Sequence, residues 1–383
     1  MSRSLGHVFP KQLVLSIALG GCAQVVGLEP PSSGDTIIVN GGSTERAPSE
    51  SKPLPPPQQE CAADVLHDAN NCGFCGRSCG GAACENGLCR PDIVTRGSIG
   101  AFATDGVDLF YASSNAVRGC SAAGPADQTC RSVIRSEDVR KKLAEGGSRW
   151  RFEGPTPPLR PLAVTVFGDR VHVTDDMYRS VISCPKTGVC DASTMGVLYA
   201  IDERESASGA SIAADGTGAF FPIGSGLAFG NAIGRSEAVV VEAAQTTGIR
   251  KLALSKDELF WLSPSGVHSL KTPVRAGTTI ASWSTNAAND IAVDDGAIYL
   301  ATNTDAHRID RATRKTELLV AGSFRTIAVS DGAVYASWDD TLVQIFAGIA
   351  HTIAEAHDTI RAINVTKEHV YWATSSEIGR VVR

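Results

Sequence analysis

The chain has 383 residues, with 35 Lys and Arg against 41 Asp and Glu and a formal net charge of −6. The two signs are intermixed and no basic stripe stands out, which argues against a nucleic-acid partner. The 11 cysteines are an odd number, and their distribution carries most of what the sequence says about compartment.

Residues 1–11 hold Arg3 and Lys11 and no acid, and "LVLSIALGG" follows from 13 to 21. A basic start, a short apolar run and small residues at a cleavage point describe an export signal, residues 1–21. The apolar run is shorter than the ~20 residues of a membrane-spanning helix. Leu19-Gly20-Gly21-Cys22 resembles the lipobox of bacterial lipoproteins. That resemblance implies cleavage before Cys22, lipid attachment at Cys22 and a partner in the membrane itself. Stable anchoring takes more than one acyl chain. Ala23 after the cysteine points, by analogy with enteric-type sorting, to the outer membrane of a Gram-negative cell envelope.

Residues 22–60 include "EPPSSGD" and "APSESKPLPPPQQE", too polar and Pro-rich to offset the entropy of ordering. The segment reads as a tether with an end-to-end reach of about 35 Å.

Residues 61–90 form a cysteine-rich module with Cys61, Cys72, Cys75, Cys79, Cys84 and Cys89. Four more cysteines follow as two close pairs, Cys120 with Cys130 and Cys184 with Cys190. Once Cys22 is assigned to lipid, every group is even, as disulfides in an oxidising compartment require. Zinc would want paired C-x2-C knuckles, and only Cys72 and Cys75 have that spacing. A redox C-x-x-C would need a βαβ setting. Six cysteines allow fifteen pairings, and the spacing does not choose among them. Asn71-Cys72-Gly73, Cys75-Gly76 and Cys79 resemble the NCGxCGxxC modules of predicted lipoproteins from Gram-negative soil bacteria, which implies an extracytoplasmic location and no particular activity. Gly76-Arg77-Ser78-Cys79-Gly80 matches the G-x-S-x-G hydrolase elbow but lacks the strand and helix that the motif needs.

From residue 91 onward the chain repeats. "FATDGVDLFYA" (from 102), "VTVFGDRVHVT" (164), "IAADGTGAFFP" (212), "LALSKDELFWL" (252), "IAVDDGAIYLA" (291), "IAVSDGAVYAS" (327) and "INVTKEHVYWA" (363) share one frame. Each alternates apolar residues, passes a polar turn and ends on an apolar–aromatic pair, which is a hairpin signature. The ninth positions are Phe110, His172, Phe220, Phe260, Tyr299, Tyr335 and Tyr371. The starts are 62, 48, 40, 39, 36 and 36 residues apart, close to the ~40-residue blade of a β-propeller. Two further strands per repeat complete a four-stranded blade. The fold class is therefore all-β, a β-propeller over residues 91–383 of about seven blades, with six to eight compatible. The last copy has room for only three strands, and "IVTRGSI" (93–99) lies at the offset of a fourth. Closure of the last blade by that segment is predicted, which removes free sheet edges. Tyr371-Trp372-Ala373-Thr374 and Phe260-Trp261 resemble the YWTD propeller repeat, and more loosely the NHL and PQQ repeats. The resemblance implies the architecture but not six blades.

Two insertions interrupt the ring. The first holds Cys120 to Cys130 and "SEDVRKKLAEG" (136–146), acids first and bases later, as in a short helix. The second holds Cys184 to Cys190. Long loops on a rigid scaffold host function, and they also serve as stapled decoration; both readings stand.

No catalytic set is assigned. His172 occupies an aromatic repeat position and reads as packed structure. Asp175-Asp176, Asp294-Asp295 and Asp339-Asp340 read as solvated turn residues, since no calcium-loop series surrounds them. No phosphate loop, dinucleotide fingerprint or H-E-x-x-H occurs, so no metal and no cofactor are expected. The expected function is a lipid-anchored envelope protein that binds a protein, small-molecule or glycan ligand at the propeller rim. An enzyme with its site at the central channel, such as a hydrolase, lyase or quinone oxidoreductase, is the alternative, and a purely structural envelope role is the third. Titratable side chains converging from several blades would favour the enzyme, whereas mixed or apolar channel walls with an aromatic rim would favour binding.

Overall fold

The computed structural model describes residues 64–383 apart from 126, 146–154, 189, 201–210, 225, 232–238, 243–245, 247, 274–279, 284 and 286. The expected export signal and tether, with Cys22 and Cys61, lie outside the described residues. Pro57–Arg383 is one compact unit.

Seven four-stranded antiparallel sheets follow one another as blades, six of them simple meanders and the seventh completed from the other end of the chain. Their first strands are Phe102–Thr104, Pro161–Phe167, Ala213–Ala214, Lys251–Ser255, Ala288–Val293, Thr326–Ser330 and Ala362–Val365, for blades 1 to 7. Each first strand touches the first strand of the next blade, and that of blade 7 touches that of blade 1, so the ring closes. The closing device is the predicted one. In blade 7 the strands Ala362–Val365, His369–Ala373 and Glu377–Val382 are completed by Asp92–Arg96, which pairs Asp92 with Arg380 and Arg96 with Glu377.

The turns between first and second strands explain the polar centre of the repeat. Asp105 Oδ1 accepts from the amides of Val107 and Asp108, Asp215 Oδ1 from those of Thr217 and Gly218, and Asp294 Oδ1 from those of Gly296 and Ala297. A short acidic side chain thus satisfies the amides that the turn leaves unpaired. Blade 6 uses the other solution, with Asp331 at φ 48° and Gly332 at φ 75°, the two left-handed residues of a tight hairpin turn.

Hydrophobic burial lies between blades. Seven apolar clusters fill the seven blade-to-blade seams, for example Phe260 of blade 4 with Ile291, Ile298 and Leu300 of blade 5, and Tyr371 of blade 7 with Leu109 and Phe102 of blade 1. Each ninth-position side chain is buried, because alternation along the second strand points it into a seam. His172 is the exception in chemistry. It is 2% exposed, its Nδ1 has no hydrogen-bond partner among the described residues, and burial pushes its pKa down to about 4, so it packs as a neutral ring.

The cysteine-rich segment is joined to the ring. Cys84–Glu85 pairs with Leu88–Cys89, and disulfides join Cys72 to Cys84 and Cys79 to Cys89. Cys75 is also disulfide-bonded. Cys72, Cys79, Cys84 and Cys89 share a cluster with Tyr335, Ile353, Trp372 and Val381 at the blade 6–7 seam. Arg77 is buried there and donates to Ile353 O at 2.9 Å, and desolvation lowers its pKa to about 10. The segment runs directly into the strand that closes the ring.

The first insertion forms the helix Ser136–Glu145, with Val139 and Leu143 buried. Tyr178 is fully buried beneath it and donates to Pro157 O at 2.9 Å. Asp175 is not the solvated turn residue expected. It is fully buried, accepts from the amides of Tyr178 and Arg160 at 2.7 Å, and burial outweighs those amides to raise its pKa to about 6. Among the described residues, no helix is long and apolar enough to cross a membrane.

Candidate functional site

A meander of four strands puts the turns after the first and third strands on one face of the ring. The turn after the second strand and the link to the next blade lie on the other. These are called the turn face and the connection face.

The turn face is closed by charge. Where the third strand ends in blades 2, 5 and 7, the next residue is Lys186, Arg311 or Arg383. Each reaches back to an acid of the preceding blade. Lys186 Nζ lies 2.6 Å from Asp105 and 3.4 Å from Asp108. Arg311 Nη2 lies 2.5 Å from Glu258, with its guanidinium over the Phe260 ring at 4.8 Å. Arg383 Nη1 lies 2.8 Å from Asp331 and Nη2 donates to Ser330 O at 2.6 Å. The Asp105 hydrogen bond raises the Lys186 pKa, and the Asp331 hydrogen bond raises that of Arg383. Arg380, 9% exposed, ties blade 7 to blade 1 by donating to Ala122 O and to Gly124 O at 3.1 Å, and it pairs with Asp92 at 3.2 Å.

The connection face is open over blades 4 to 7, around a cavity of about 940 Å³ lined by Arg250, Lys251, Arg325, Arg361, Asp290 and Trp338 among others. The three arginines hold one register. Each is the residue just before the first strand of its blade, and each backbone N–H donates at 2.8 Å to the same place on the second strand, Leu262 O, Ser337 O or Ala373 O. In blade 5 the equivalent residue is Asn289, displaced by a bulge between Ala288 and Asp290, and its side chain donates to Asn303 Oδ1 and Phe324 O, both at 2.8 Å. Arg250, Arg325 and Arg361 are exposed and make no ion pair among the described residues. Of the two acids in the lining, Asp290 is buried and already occupied, by Lys251 Nζ at 3.2 Å and the amides of Ile291 and Ile327, and Asp339 is exposed and makes no ion pair among the described residues. The Trp338 ring stands half-buried against Phe324, 5.5 Å between centroids. Beneath this mouth, the only charged residues on the seven first strands are Lys251 and Asp290, both at the mouth itself.

Of the residues singled out in the sequence, Asp339 lines this cavity as an exposed acid, and the others lie elsewhere. Cys120 bonds Cys130 and Cys184 bonds Cys190, in loops of the turn face that Arg131 joins by donating to Lys186 O at 2.9 Å and Gly188 O at 2.6 Å. The sulfurs of Cys72, Cys79 and Cys89 lie within 4.8 Å of one another because two disulfides sit side by side. Phe110, His172, Phe220, Phe260, Tyr299, Tyr335 and Tyr371 are seam residues. His268 is a lock: Ser263 and Ser265 Oγ bond its Nε2 at 3.0 Å, Ser282 Oγ bonds its Nδ1 at 2.8 Å, and burial lowers its pKa. Sequence reasoning missed the mouth arginines, although "RKLALS", "RTIAVS" and "RAINVT" repeat the signal two residues ahead of the apolar start.

No family model matches the chain, and no curated protein matches it. Solved structures do. Virginiamycin B lyase from Staphylococcus aureus, in a catalytically inactive form with quinupristin, superposes with a TM-score of 0.55 at 12% identity, over 77% of this chain and 98% of that one. The extracellular domain of BT4673 from B. thetaiotaomicron gives 0.54 at 10% identity, over 76% of this chain and 40% of that one. PorZ, a bacterial surface component of the type-IX secretion system of Porphyromonas gingivalis, gives 0.53 at 11% identity over 76% and 37%. The chain therefore spans less than half the length of the latter two. At these identities the likeness shows the fold, which an enzyme and envelope proteins share. The protein is a seven-bladed β-propeller with a disulfide-bonded, cysteine-rich region ahead of its closing strand.

Proposed function

We propose that this is an exported cell-envelope protein, lipid-anchored through Cys22, whose propeller binds a ligand at the connection-face mouth of blades 4 to 7. In this reading residues 1–21 are the export signal, 22–60 the tether, 61–90 the stapled region and 91–383 the binding domain. One observation carries it. Three exposed guanidiniums from separate blades, without an ion-pair partner among the described residues, surround one large cavity, while the first strands below carry no set of titratable groups. A binding surface needs the former, and a channel-centred enzyme would need the latter. The surface-protein neighbours support an extracytoplasmic role, and the lyase neighbour shows that the fold also carries catalysis.

The test uses the full chain in its native host, with a photo-crosslinking residue at Ser323 beside the cavity or at Ala312 on the turn face. A discrete adduct from Ser323 and none from Ala312 is expected. Equal yields from both would sink the site. Palmitate labelling that persists in Cys22→Ala would remove the anchor.

A further inference from the structure

The ligand class can be argued from the contrast between the two faces. Cations that the fold uses for itself are matched. Lys186, Arg311 and Arg383 recur at one register, and each has an acid of the preceding blade within 2.8 Å. Arg250, Arg325 and Arg361 recur at another register, and none has an acid within ion-pair distance among the described residues. The fold thus repeats a cation at a fixed place on the connection face without closing it into an ion pair, and the lining holds Arg250, Lys251, Arg325 and Arg361 against Asp290 and Asp339. It does so in a chain of net charge −6, so the local sign opposes the global one.

Arginine presents a planar fork of donors that matches carboxylates in pairs. Here the forks are spread over separate blades around an arc, not gathered at one point. A single small anion would meet one of them; a chain with several carboxylates would meet all three. Between them Asn303 offers an exposed amide beside Asn289, and Trp338 offers a half-exposed ring. Amide groups suit the N–H and C=O of an extended backbone, and an aromatic face suits the aliphatic stem of a glutamate side chain.

We infer that the mouth of blades 4 to 7 recognises an acidic peptide segment of a partner protein, several of whose Asp or Glu side chains pair with Arg250, Arg325 and Arg361. This rests on the binding reading above and names its ligand. It is the arginine-cluster mode of acidic-motif recognition, carried on a propeller rim by repeat register.

The experiment measures binding of a fluorescein-labelled hexaglutamate peptide to the full chain in zwitterionic detergent, by anisotropy at low salt. Saturable binding that weakens as salt rises is expected. Arg325→Ala should weaken it by about tenfold, as loss of one charge-assisted pair would. Arg325→Lys should weaken it less, because the charge stays and only the fork is lost. Arg250→Ala with Arg325→Ala and Arg361→Ala together should abolish it, and Arg314→Ala on the turn face should leave it unchanged. Ser323→Glu, with every arginine intact, should weaken it as much as Arg325→Ala; this variant keeps the test valid if the triple variant fails to fold. Binding unaffected by Arg325→Ala and Ser323→Glu would overturn the inference. So would stronger competition by trigalacturonate or inorganic phosphate than by unlabelled hexaglutamate, which would assign the mouth to an acidic glycan or a lone anion. If hexaglutamate fails to bind while the Ser323 adduct persists, the peptide class falls and the binding site stands. If both are lost, the binding reading falls as well.

Discussion

The two faces of this propeller use the same residue types for opposite ends. On the turn face Lys186, Arg311 and Arg383 are spent on the neighbouring blade, so charge there belongs to assembly. On the connection face the register-equivalent arginines line open space, so charge there is left for something outside the chain. A repeat places equivalent residues at equivalent sites around a ring. What separates scaffold from surface is whether the previous blade carries a partner within reach.

The largest effect should come from Arg380. It is almost wholly buried, and its guanidinium donates to Ala122 O and Gly124 O across the blade 7–1 seam and pairs with Asp92 of its own blade. Arg380→Ala leaves Gly124 O and the Asp92 carboxylate without this donor, and Ala122 O with the Tyr371 hydroxyl alone, just where the ring closes. A loss of about 3–5 kcal/mol is expected, read as a shift in urea midpoint at unchanged slope. A loss under ~1 kcal/mol would mean that the turn face is not held by charge.

A second test separates two buried titratable groups of blade 2 that oppose each other. His172 has its folded pKa depressed from 6.5 to about 4, so its contribution is present above pH 6.5 and lost as pH falls through 4. Asp175 has its folded pKa raised from 3.8 to about 6. Folding therefore takes up a proton there, and that contribution is present below pH 3.8 and lost as pH rises through 6. Over the shared window the slopes offset, each amounting to roughly 3 kcal/mol at most. His172→Phe should leave a protein that gains stability on acidification from pH 6 to pH 4, and Asp175→Asn one that loses it over pH 6.5 to 4. Denaturation midpoints across that range check both signs, and parallel curves for the two variants would contradict the assignment.

Much of this fold was legible because it rests on local rules. Period-two alternation, turn aspartates and the aromatic at the ninth place set blade register, and the three-strand final repeat demanded an N-terminal strand. The seam position of Tyr371 or Phe260 follows from alternation alone. The charges were less legible. Arg250, Arg325 and Arg361 are 75 and 36 residues apart, so a linear scan for basic clusters passes over them, and only the ring gathers them. Lys186 and Asp105 escape the same scan, since the pair exists only across a seam. Docking of the cysteine-rich region was equally hidden. Its contact side is made of disulfide sulfurs, Ala69 and Ala82, the Phe74 ring against His351 and the Arg77 guanidinium bonded to Ile353 O, a mixture that does not read as an apolar face. Asp175 was misread because a turn acid and a buried anchor look alike until the helix above it is in place.

The smallest effect is the sharpest form of the comparison, a matched pair of arginine deletions. Arg311 and Glu258 are only 20% and 16% exposed as side chains, and Arg311 also donates to Asp294 O at 2.8 Å and covers Phe260. Arg311→Ala takes the cation from a mostly buried carboxylate, which keeps only the Ser269 hydroxyl, and uncovers an aromatic ring, which should cost about 2–3 kcal/mol. Arg325 is exposed and bonds nothing with its side chain among the described residues, so Arg325→Ala should stay within about 0.5 kcal/mol of the parent. Relief of repulsion from Arg250 and Arg361 pushes that small change toward stabilisation, since unpaired like charges held near one another oppose folding. A residue that is neutral or costly for stability, repeated three times at one register, has its reason outside the folded chain. Equal losses from the two deletions would place Arg325 in the scaffold with Arg311 and dissolve the distinction between the faces.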